Sequence, residues 1–171
     1  PPEAIMDAID LRPGMVVGEI GAGSGRMTMW LAQRVGPEGK IYANDIDEGA
    51  LAHLRQRCKE HGLTNVVVVL GEVTDPELPA GTIDIAFMIN VYHHLDKPVK
   101  MIRDTLPCLA PGGVLAIVEC DPGKDGFHPD HGTPVEEMLA QLKEAGLAEI
   151  EVIDPPWLRH DYIYIGRPAG E

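Results

Sequence analysis

Apolar residues along the chain alternate between short continuous runs and longer stretches in which they recur at helical spacing. Residues 66–69 are four consecutive valines, and such a β-branched run is typical of a strand covered on both faces, as in a parallel sheet. Met27, Leu31 and Val35 show the other pattern, because they share one face of a helix. The alternation predicts a doubly wound α/β sheet, in which ligands bind outside the carboxyl ends of the strands. The predicted strands cover residues 15–20, 40–44, 65–70, 82–89 and 114–119, and the predicted helices cover residues 2–9, 24–35, 47–61 and 97–109.

The pattern changes after the fifth predicted strand. Residues 121–132 form a polar stretch that predicts a loop, and Thr133 with Glu136 is typical of a capping box before a further helix. Two last strands are predicted at residues 148–153 and 162–165. Since no helical pattern separates them, we expect an antiparallel pair at one edge of the sheet.

Length and composition fit one globular domain. The chain has 171 residues, of which 44% are apolar and 24% charged, and it contains neither a repeat nor an interdomain linker. Residues 1–171 are therefore predicted to form a single domain. No apolar run approaches the roughly 20 residues that a membrane-spanning helix needs, so no membrane span is predicted. The sequence begins at Pro1 rather than at a methionine, which leaves open a preceding targeting segment.

Charge and cysteine content indicate which class of partner and which cellular compartment the chain favours. Lys and Arg number 14 against 27 Asp and Glu, and the resulting net charge of −13 argues against nucleic acid as a partner. Cys58, Cys108 and Cys120 lie far apart and have no zinc-binding spacing, so no metal site is predicted. They predict reduced thiols in a cytoplasmic protein. The oligomeric state stays open, a homodimer included.

The strongest chemical signal is a glycine-rich loop that follows the first predicted strand and opens a helix. Glycines let the backbone turn sharply and let a ligand approach, and the helix N-terminus adds unpaired N–H donors. The dinucleotide-binding fingerprint would place a third glycine at position 26, where this chain has Arg26. Glu19, two residues before the loop, suits a ligand with an ammonium group better than a pyrophosphate. The loop consists of Gly21, Ala22, Gly23, Ser24 and Gly25.

Acidic residues also end the next two predicted strands. Asp45 lies 20 residues beyond Gly25, where a carboxylate can accept hydrogen bonds from both hydroxyls of a ribose. Asp47 is predicted to cap the following helix. Glu72, after the third strand, can accept a hydrogen bond from an adenine amino group, with Val73 against the ring.

Together these motifs resemble the class I S-adenosylmethionine-dependent methyltransferases over nearly the whole chain. Residues 19–25 match the (D/E)xGxGxG loop of that family, and residues 109–115 match its LxPGG turn. Residues 83–95 match its fourth strand, and residues 71–73 match a segment usually written Gly-Asp-Ala. The resemblance implies a mostly parallel seven-stranded sheet in the order 3-2-1-4-5-7-6, with the last strand antiparallel. It also implies S-adenosylmethionine as the cofactor and S-adenosylhomocysteine as its product.

The resemblance further implies a role for each matching position. Glu19 would face the amino end of the methionine portion, and Asp45 would hold the ribose, with Ile46 against the adenine. Asn90 and Val91, after the fourth strand, would lie near the sulfonium. The implied cofactor-binding residues are Glu19, Gly21, Ala22, Gly23, Ser24, Gly25, Asp45, Ile46, Glu72, Val73, Asn90 and Val91.

Methyl transfer from a sulfonium is an in-line displacement, so positioning of the acceptor supplies much of the rate. A general base is needed only when the acceptor must lose a proton. Tyr92 and His93, directly after the fourth predicted strand, are the predicted catalytic residues, while His94 is expected to have a structural role. His128 and His131 in the polar loop are further candidates. The predicted acceptor is a small molecule, because nothing in the sequence offers an extended docking surface.

Two other functions remain open at this point. A non-catalytic S-adenosylmethionine-binding module or assembly subunit would keep the glycine loop and Asp45 but would bind the cofactor without turnover. An NAD-dependent oxidoreductase would need a glycine at position 26 and a catalytic residue in a second domain, and the sequence shows neither.

Overall fold

The computed structural model describes residues 1–124 and 131–170, and these residues build a seven-stranded sheet in the order β3-β2-β1-β4-β5-β7-β6. The predicted doubly wound sheet and its strand order are confirmed. The strands are β1 (Val16–Ile20), β2 (Lys40–Asp45), β3 (Val66–Leu70), β4 (Ile83–Ile89), β5 (Leu109–Cys120), β6 (Leu147–Ile153) and β7 (Asp161–Pro168). The helices are α1 (Pro2–Ala8), α2 (Thr28–Val35), α3 (Glu48–Glu60), α4 (Pro98–Thr105) and α5 (Val135–Ala145).

Strand direction brings the chemical motifs to one end of the sheet. Strands β1 to β5 pair in parallel, and β7 runs antiparallel to both β5 and β6, as predicted for the closing strand pair. The carboxyl ends of parallel strands meet at the same edge of a sheet, so the residues that follow β1, β2, β3, β4 and β5 are neighbours.

Two hydrophobic clusters cover the two faces of the sheet. Side chains along β4 alternate between them, because Phe87 belongs to the cluster that contains Leu31 of α2, and Met88 to the cluster that contains Ile102 of α4. Helices α1, α2 and α3 therefore pack on one face, and α4 and α5 pack on the other. Among the described residues, no helix combines the length and the apolar character that crossing a bilayer requires.

Two predicted helices are shorter than expected. Helix α2 begins at Thr28 rather than at residue 24, because Gly25 has a φ of 94° and its left-handed backbone keeps the loop out of the helix. Helix α4 ends at Thr105, and Leu106–Cys108 continues as a 3₁₀ turn that contains Pro107.

Helix capping was predicted correctly for one helix and wrongly for another. The Asp47 carboxylate accepts hydrogen bonds from the N–H groups of Gly49 and Ala50 and caps α3. The predicted capping box at Thr133 is absent from α5, which begins at Val135 without a side-chain cap from its own first residues. The Val135 N–H donates instead to Asp121 Oδ2 at 3.0 Å, which leaves the Thr133 hydroxyl free to contact a buried carboxylate described below.

Candidate functional site

The glycine loop passes close to the residues that follow β4. Gly21, Gly23 and Gly25 have φ values of 75°, 58° and 94°, a left-handed conformation that glycine adopts without strain. A Cβ on Gly21 would lie 2.4 Å from Val91 Cγ2, and a Cβ on Gly25 would lie 2.3 Å from Leu54 Cδ1. Backbone conformation therefore favours glycine at both positions, and at Gly21 the short, branched Val91 side chain also leaves no space for a Cβ.

The two residues between these glycines fix the loop to its neighbours through backbone groups. The Ala22 N–H donates to the carbonyl of Asn44 at 2.8 Å, which ties the loop to the end of β2. The exposed Ser24 accepts a hydrogen bond at its carbonyl oxygen from the Arg57 side chain of α3 at 3.2 Å.

Two clefts open on either side of Gly21, and we name each after its acidic residue. The Asp45 cleft has a volume of about 270 Å³ and is lined by residues that include Gly21, Asp45, Ile46, Val73, Val91 and His94. The Glu19 cleft has a volume of about 440 Å³ and is lined by residues that include Glu19, Gly21, Arg26, Met27, Trp30 and Asn90. Because Gly21 lines both clefts, they adjoin at the carboxyl end of β1.

In the Asp45 cleft the carboxylate already accepts two backbone hydrogen bonds. Oδ2 accepts from the Gly23 N–H at 2.8 Å, and Oδ1 accepts from the Asp47 N–H at 3.0 Å. A carboxylate has about four acceptor sites, so each oxygen keeps one for a ligand. Ile46 and Val73 line the same cleft with 57% and 52% of their surface exposed, an unusual exposure for apolar side chains.

Glu72, predicted beside an adenine, follows β3 with an exposed side chain. Its backbone forms a small bridge with Asp75, in which the Glu72 N–H donates to the Asp75 carbonyl at 2.9 Å. This bridge fixes the turn directly before Val73, which lines the Asp45 cleft, whereas Glu72 itself does not line it.

In the Glu19 cleft an acidic and a basic side chain line the same space. Glu19 is 2% exposed and accepts a hydrogen bond from Thr28 Oγ1 at 2.6 Å. Burial raises the pKa of Glu19 to about 8, with a further increase from the charge of Asp45 and a partial decrease from the Thr28 hydrogen bond. Arg26 is exposed in the same cleft. Once ionised, Glu19 together with the Arg26 guanidinium would be complementary to a zwitterionic amino acid group.

The two residues after β4 divide between the clefts. Asn90 lines the Glu19 cleft and has a φ of 54°, a conformation that asparagine tolerates better than most residues. Its N–H donates to the Val118 carbonyl of β5 at 2.9 Å. Val91 lines the Asp45 cleft, and its side chain fills the space beside Gly21, so the residues after β4 lie against the loop where the two clefts adjoin.

Comparison with known proteins shows to which family the chain belongs. The sequence profile of the family described as "Methyltransferase domain" matches residues 17–113, which contain both acidic residues, the glycine loop and the β4 turn. The chain belongs to this methyltransferase domain family. A crystal structure of a SAM dependent methyltransferase from Aquifex aeolicus superimposes with a TM-score of 0.82 at 27% identity, over 96% of this chain and 88% of that one. The predicted class I resemblance and its cofactor, S-adenosylmethionine, are confirmed.

Curated relatives of this methyltransferase domain are much longer proteins. Nocamycin O-methyltransferase of Saccharothrix syringae is 37% identical over 81 residues, which cover 47% of this chain and 29% of that protein. The ubiquinone/menaquinone biosynthesis C-methyltransferase UbiE of Idiomarina loihiensis is 29% identical over 115 residues, which cover 67% and 46%. The chain thus spans less than half the length of either relative.

The two predicted catalytic residues of the methyltransferase domain lie in different surroundings. Tyr92 is 2% exposed, and its hydroxyl donates to Gln141 Oε1 of α5 at 2.7 Å. Burial raises the pKa of Tyr92 well above its usual range, and nearby acidic side chains add to the effect. This placement favours a packing role. His93 instead directs Nδ1 towards Glu119 Oε1 at 2.7 Å and keeps 14% of its side chain exposed.

The sequence patterns do not single out Glu119 or Thr28. They mark Arg26 only as a departure from the dinucleotide-binding fingerprint. Glu119 stands one residue before the end of β5 and is the carboxylate that the Thr133 hydroxyl contacts, at 3.4 Å from Oε2. A charged residue in the otherwise apolar run 114–120 is the signal that could have singled it out, since such residues are buried only with partners.

The other histidines and the cysteines occupy varied positions. His94 is exposed and lines the Asp45 cleft, while the His131 ring lies 6.5 Å from the His93 ring in an edge-on arrangement. The candidate His128 lies outside the described residues. Within residues 1–124 and 131–170, no three His, Cys, Asp or Glu side chains converge in a way that could hold a metal ion. The cysteines are buried free thiols at positions 58, 108 and 120.

Proposed function

We propose that the chain binds S-adenosylmethionine across Gly21 and transfers its methyl group to a small-molecule acceptor. The observation that carries this proposal is the pairing of two chemically different clefts at one glycine. The Asp45 cleft combines a carboxylate with exposed apolar side chains. The Glu19 cleft combines the buried Glu19 carboxyl with the Arg26 guanidinium. S-adenosylmethionine has the same division, with an adenosine at one end and a zwitterionic amino acid at the other.

The Asp45 cleft suits the adenosine end of the cofactor. The remaining acceptor sites of Asp45 match the two hydroxyls of a ribose, because adjacent hydroxyls donate to one carboxylate together. Ile46 and Val73 offer apolar surface to the flat faces of the adenine, and the exposed Glu72, adjacent to Val73 in the chain, would offer an acceptor for its amino group. The small size of the cleft, about 270 Å³, fits a nucleoside better than a dinucleotide.

The Glu19 cleft suits the methionine end. Its buried carboxyl gains a partner when an ammonium group enters, which repays part of the cost of burying an acid. Arg26 in the same cleft can donate to the methionine carboxylate. Gly21, Ala22, Gly23, Ser24 and Gly25 would approach the ligand with backbone only, which brings the sulfonium between the clefts, above Asn90 and Val91.

The acceptor would reach the sulfonium from the side of the turn that follows β4. The reaction needs the accepting atom in line with the methyl group and its bond to sulfur, so holding the two partners in place supplies much of the rate. Two relatives are named as an O-methyltransferase and a C-methyltransferase of small molecules, which supports a small acceptor here. Of the two predicted catalytic residues, we assign the catalytic role to His93.

The proposal extends to the domain organisation and the compartment. We propose that residues 1–171 act as one S-adenosylmethionine-binding domain, because one sheet runs through the described residues and both clefts open at its carboxyl edge. The buried thiols of Cys58, Cys108 and Cys120 support a reducing compartment, for which we propose the cytoplasm. The net charge of −13 supports a partner other than nucleic acid.

The orientation of the cofactor can be tested with a ligand that lacks the amino acid end. We expect Arg26→Gln to weaken binding of S-adenosylmethionine and S-adenosylhomocysteine about tenfold, which corresponds to about 1.4 kcal/mol. Binding of 5′-methylthioadenosine, which has no carboxylate, is expected to stay unchanged. Isothermal titration calorimetry measures all three.

A matched control for this experiment is Arg55→Gln, because Arg55 is an exposed arginine of α3 that pairs with Glu48 at 2.9 Å away from both clefts. It is expected to leave all three affinities unchanged. Equal losses for all three ligands in the Arg26 variant would contradict the proposed orientation, since they would show that Arg26 acts on the adenosine end or on the loop itself.

A further inference from the structure

We infer that Glu119 holds His93 in the form that accepts a proton from a hydroxyl group of the acceptor, so that this methyltransferase acts on phenolic or enolic hydroxyls. The inference rests on the proposed function and extends it from a cofactor and a reaction to a class of acceptor. The observation that carries it is the contact of 2.7 Å between His93 Nδ1 and Glu119 Oε1.

The surroundings of Glu119 determine which partner donates in this contact. Its side chain is fully buried, and Oε1 accepts a hydrogen bond from the Cys120 N–H at 3.0 Å. Oε2 lies 3.4 Å from the Thr133 hydroxyl, which can donate to it. As a carboxylate, Glu119 can only accept, and Oε1 accepts the Cys120 N–H in this way. We therefore assign the hydrogen on the short contact to Nδ1 of His93.

This hydrogen fixes the tautomer of the imidazole ring. In a neutral ring with hydrogen on Nδ1, the lone pair is on Nε2, which then serves as the proton acceptor. Glu119 is fully buried and His93 is 14% exposed, so His93 is the end of the pair that a ligand can reach. When His93 takes up a proton, the adjacent carboxylate stabilises the positive charge.

His93 also stands at the correct place along the chain. It lies in the 3₁₀ turn Tyr92–His94, between Asn90, which lines the Glu19 cleft, and His94, which lines the Asp45 cleft. The two clefts meet at Gly21 beside this turn. His93 itself lines neither cleft, but its ring is centred 4.0 Å from the ring of His94, which lines the Asp45 cleft.

Other charged and titratable groups surround the pair. The His94 ring is centred 4.0 Å from the His93 ring, and the His131 ring is centred 6.5 Å away. Asp161 of β7 also faces this region. Burial raises the pKa of the Asp161 carboxyl, and the charges of His160, Lys124 and His93 oppose that increase. A pH profile of the reaction therefore reports on this whole group, and variants are needed to assign it.

The chemistry of the step restricts the acceptor. A new bond forms between the acceptor oxygen and the methyl carbon, the bond from methyl to sulfur breaks, and its electron pair stays on sulfur as S-adenosylhomocysteine is formed. The hydroxyl proton moves to Nε2 of His93 and is later released to water. An amine can attack while neutral and lose its proton afterwards, and a thiolate has no proton to lose. Among these heteroatom acceptors, a neutral hydroxyl is the nucleophile that needs a base during attack.

The test compares hydroxyl acceptors of different acidity, using a panel of substituted phenols and cyclic enols with S-adenosylmethionine at pH 7.5. The panel includes nitrophenols that are already ionised at this pH. We expect His93→Gln to lower kcat about 100-fold or more on phenols that are neutral at pH 7.5, and much less on the ionised nitrophenols. Glu119→Gln is expected to lower kcat about tenfold with the same dependence on acceptor acidity, while KM for S-adenosylmethionine stays within about twofold.

The matched control is His53→Gln, because His53 is an exposed histidine on α3 outside both clefts. The His53 variant is expected to methylate every acceptor at the same rate as the parent chain. Equal losses on neutral and ionised acceptors would overturn the inference, since they would show that the pair only ties β4 to β5. If the chain binds S-adenosylmethionine but methylates no hydroxyl in the panel, only the proposed acceptor class would be overturned. Failure to bind the cofactor would contradict the proposed function instead.

A second measurement needs no variant and so does not depend on how the variants fold. Nitrogen-15 NMR of the histidine side chains distinguishes the two neutral tautomers. We expect the hydrogen of His93 on Nδ1 in the neutral ring, and a ring with its hydrogen on Nε2 would overturn the inference.

Discussion

Replacing Glu19 with Gln is expected to weaken binding of S-adenosylmethionine about tenfold or more, and at the same time to make the ligand-free protein more stable at pH 8. Both effects have one cause, because the Glu19 carboxyl is buried and accepts a single hydrogen bond, from Thr28. Such a group costs folding free energy when ionised, and that cost is recovered when an ammonium group arrives.

The sign of the stability effect follows from the pKa of Glu19, which burial raises to about 8 in the folded chain. The unfolded chain releases this proton near pH 4.3, about the ordinary value for glutamate. Between these two values the folded state holds a proton that the unfolded state has lost, so stability falls as pH rises from about 4.3 to 8. Gln has no such proton, and we expect Glu19→Gln to exceed the parent chain at pH 8 by on the order of 3–5 kcal/mol.

Thermal unfolding of both proteins between pH 5 and 9 measures this effect, with Glu38→Gln as a control, since Glu38 is exposed. If the stability of the Glu19 variant and of its parent changed with pH in parallel, this explanation would be contradicted.

Proton release on ligand binding is a second consequence of the raised pKa of Glu19, and calorimetry in buffers of different ionisation enthalpy measures it. At pH 7 the parent chain is expected to release up to about one proton on binding S-adenosylmethionine, whereas the Glu19 variant releases none.

Asp45→Ala is expected to weaken binding of S-adenosylmethionine, S-adenosylhomocysteine and 5′-methylthioadenosine alike, by about 2–3 kcal/mol or roughly 30- to 150-fold. All three ligands contain the ribose, and Asp45 also holds the Gly23 N–H, so its loss removes a ligand contact and loosens the loop. This uniform loss contrasts with the selective loss expected for Arg26→Gln. Titration calorimetry separates the two patterns.

The matched control is Asp47→Ala, which removes a carboxylate two residues away that caps α3. It is expected to cost about 1 kcal/mol of stability and to leave ligand affinity unchanged. Unchanged affinity in the Asp45 variant would show that its carboxylate serves only the backbone groups of Gly23 and Asp47, and the ribose assignment would then be wrong.

The sequence predicts the part of the site that depends on strand ends. The glycine loop and Asp45 are recognisable because each is encoded in a few consecutive residues at a fixed place in a βα unit. Parallel pairing then brings them together without further information, since Ile20 lies beside Asn44 in the register of β1 and β2. The sheet order is predicted by the resemblance to class I methyltransferases, because the alternation of strands and helices predicts the doubly wound class but not the order of the strands.

The remainder depends on packing between distant segments. His93 and Glu119 lie 26 residues apart and meet only because β4 and β5 end side by side. Tyr92 and His93 are adjacent in sequence, yet the turn sends Tyr92 towards Gln141 of α5 and His93 towards Glu119. The role of Thr133 could not be predicted either, because its local pattern favours a helix cap and a long-range carboxylate competes for its hydroxyl.

The most direct test of cofactor binding is a calorimetric titration of the purified chain with S-adenosylmethionine, S-adenosylhomocysteine and NAD in parallel. The two-cleft arrangement predicts micromolar binding of the first two ligands and no binding of NAD, because Arg26 replaces the third glycine of the dinucleotide fingerprint. Binding of NAD, or binding of none of the three, would contradict the central claim that this site holds S-adenosylmethionine.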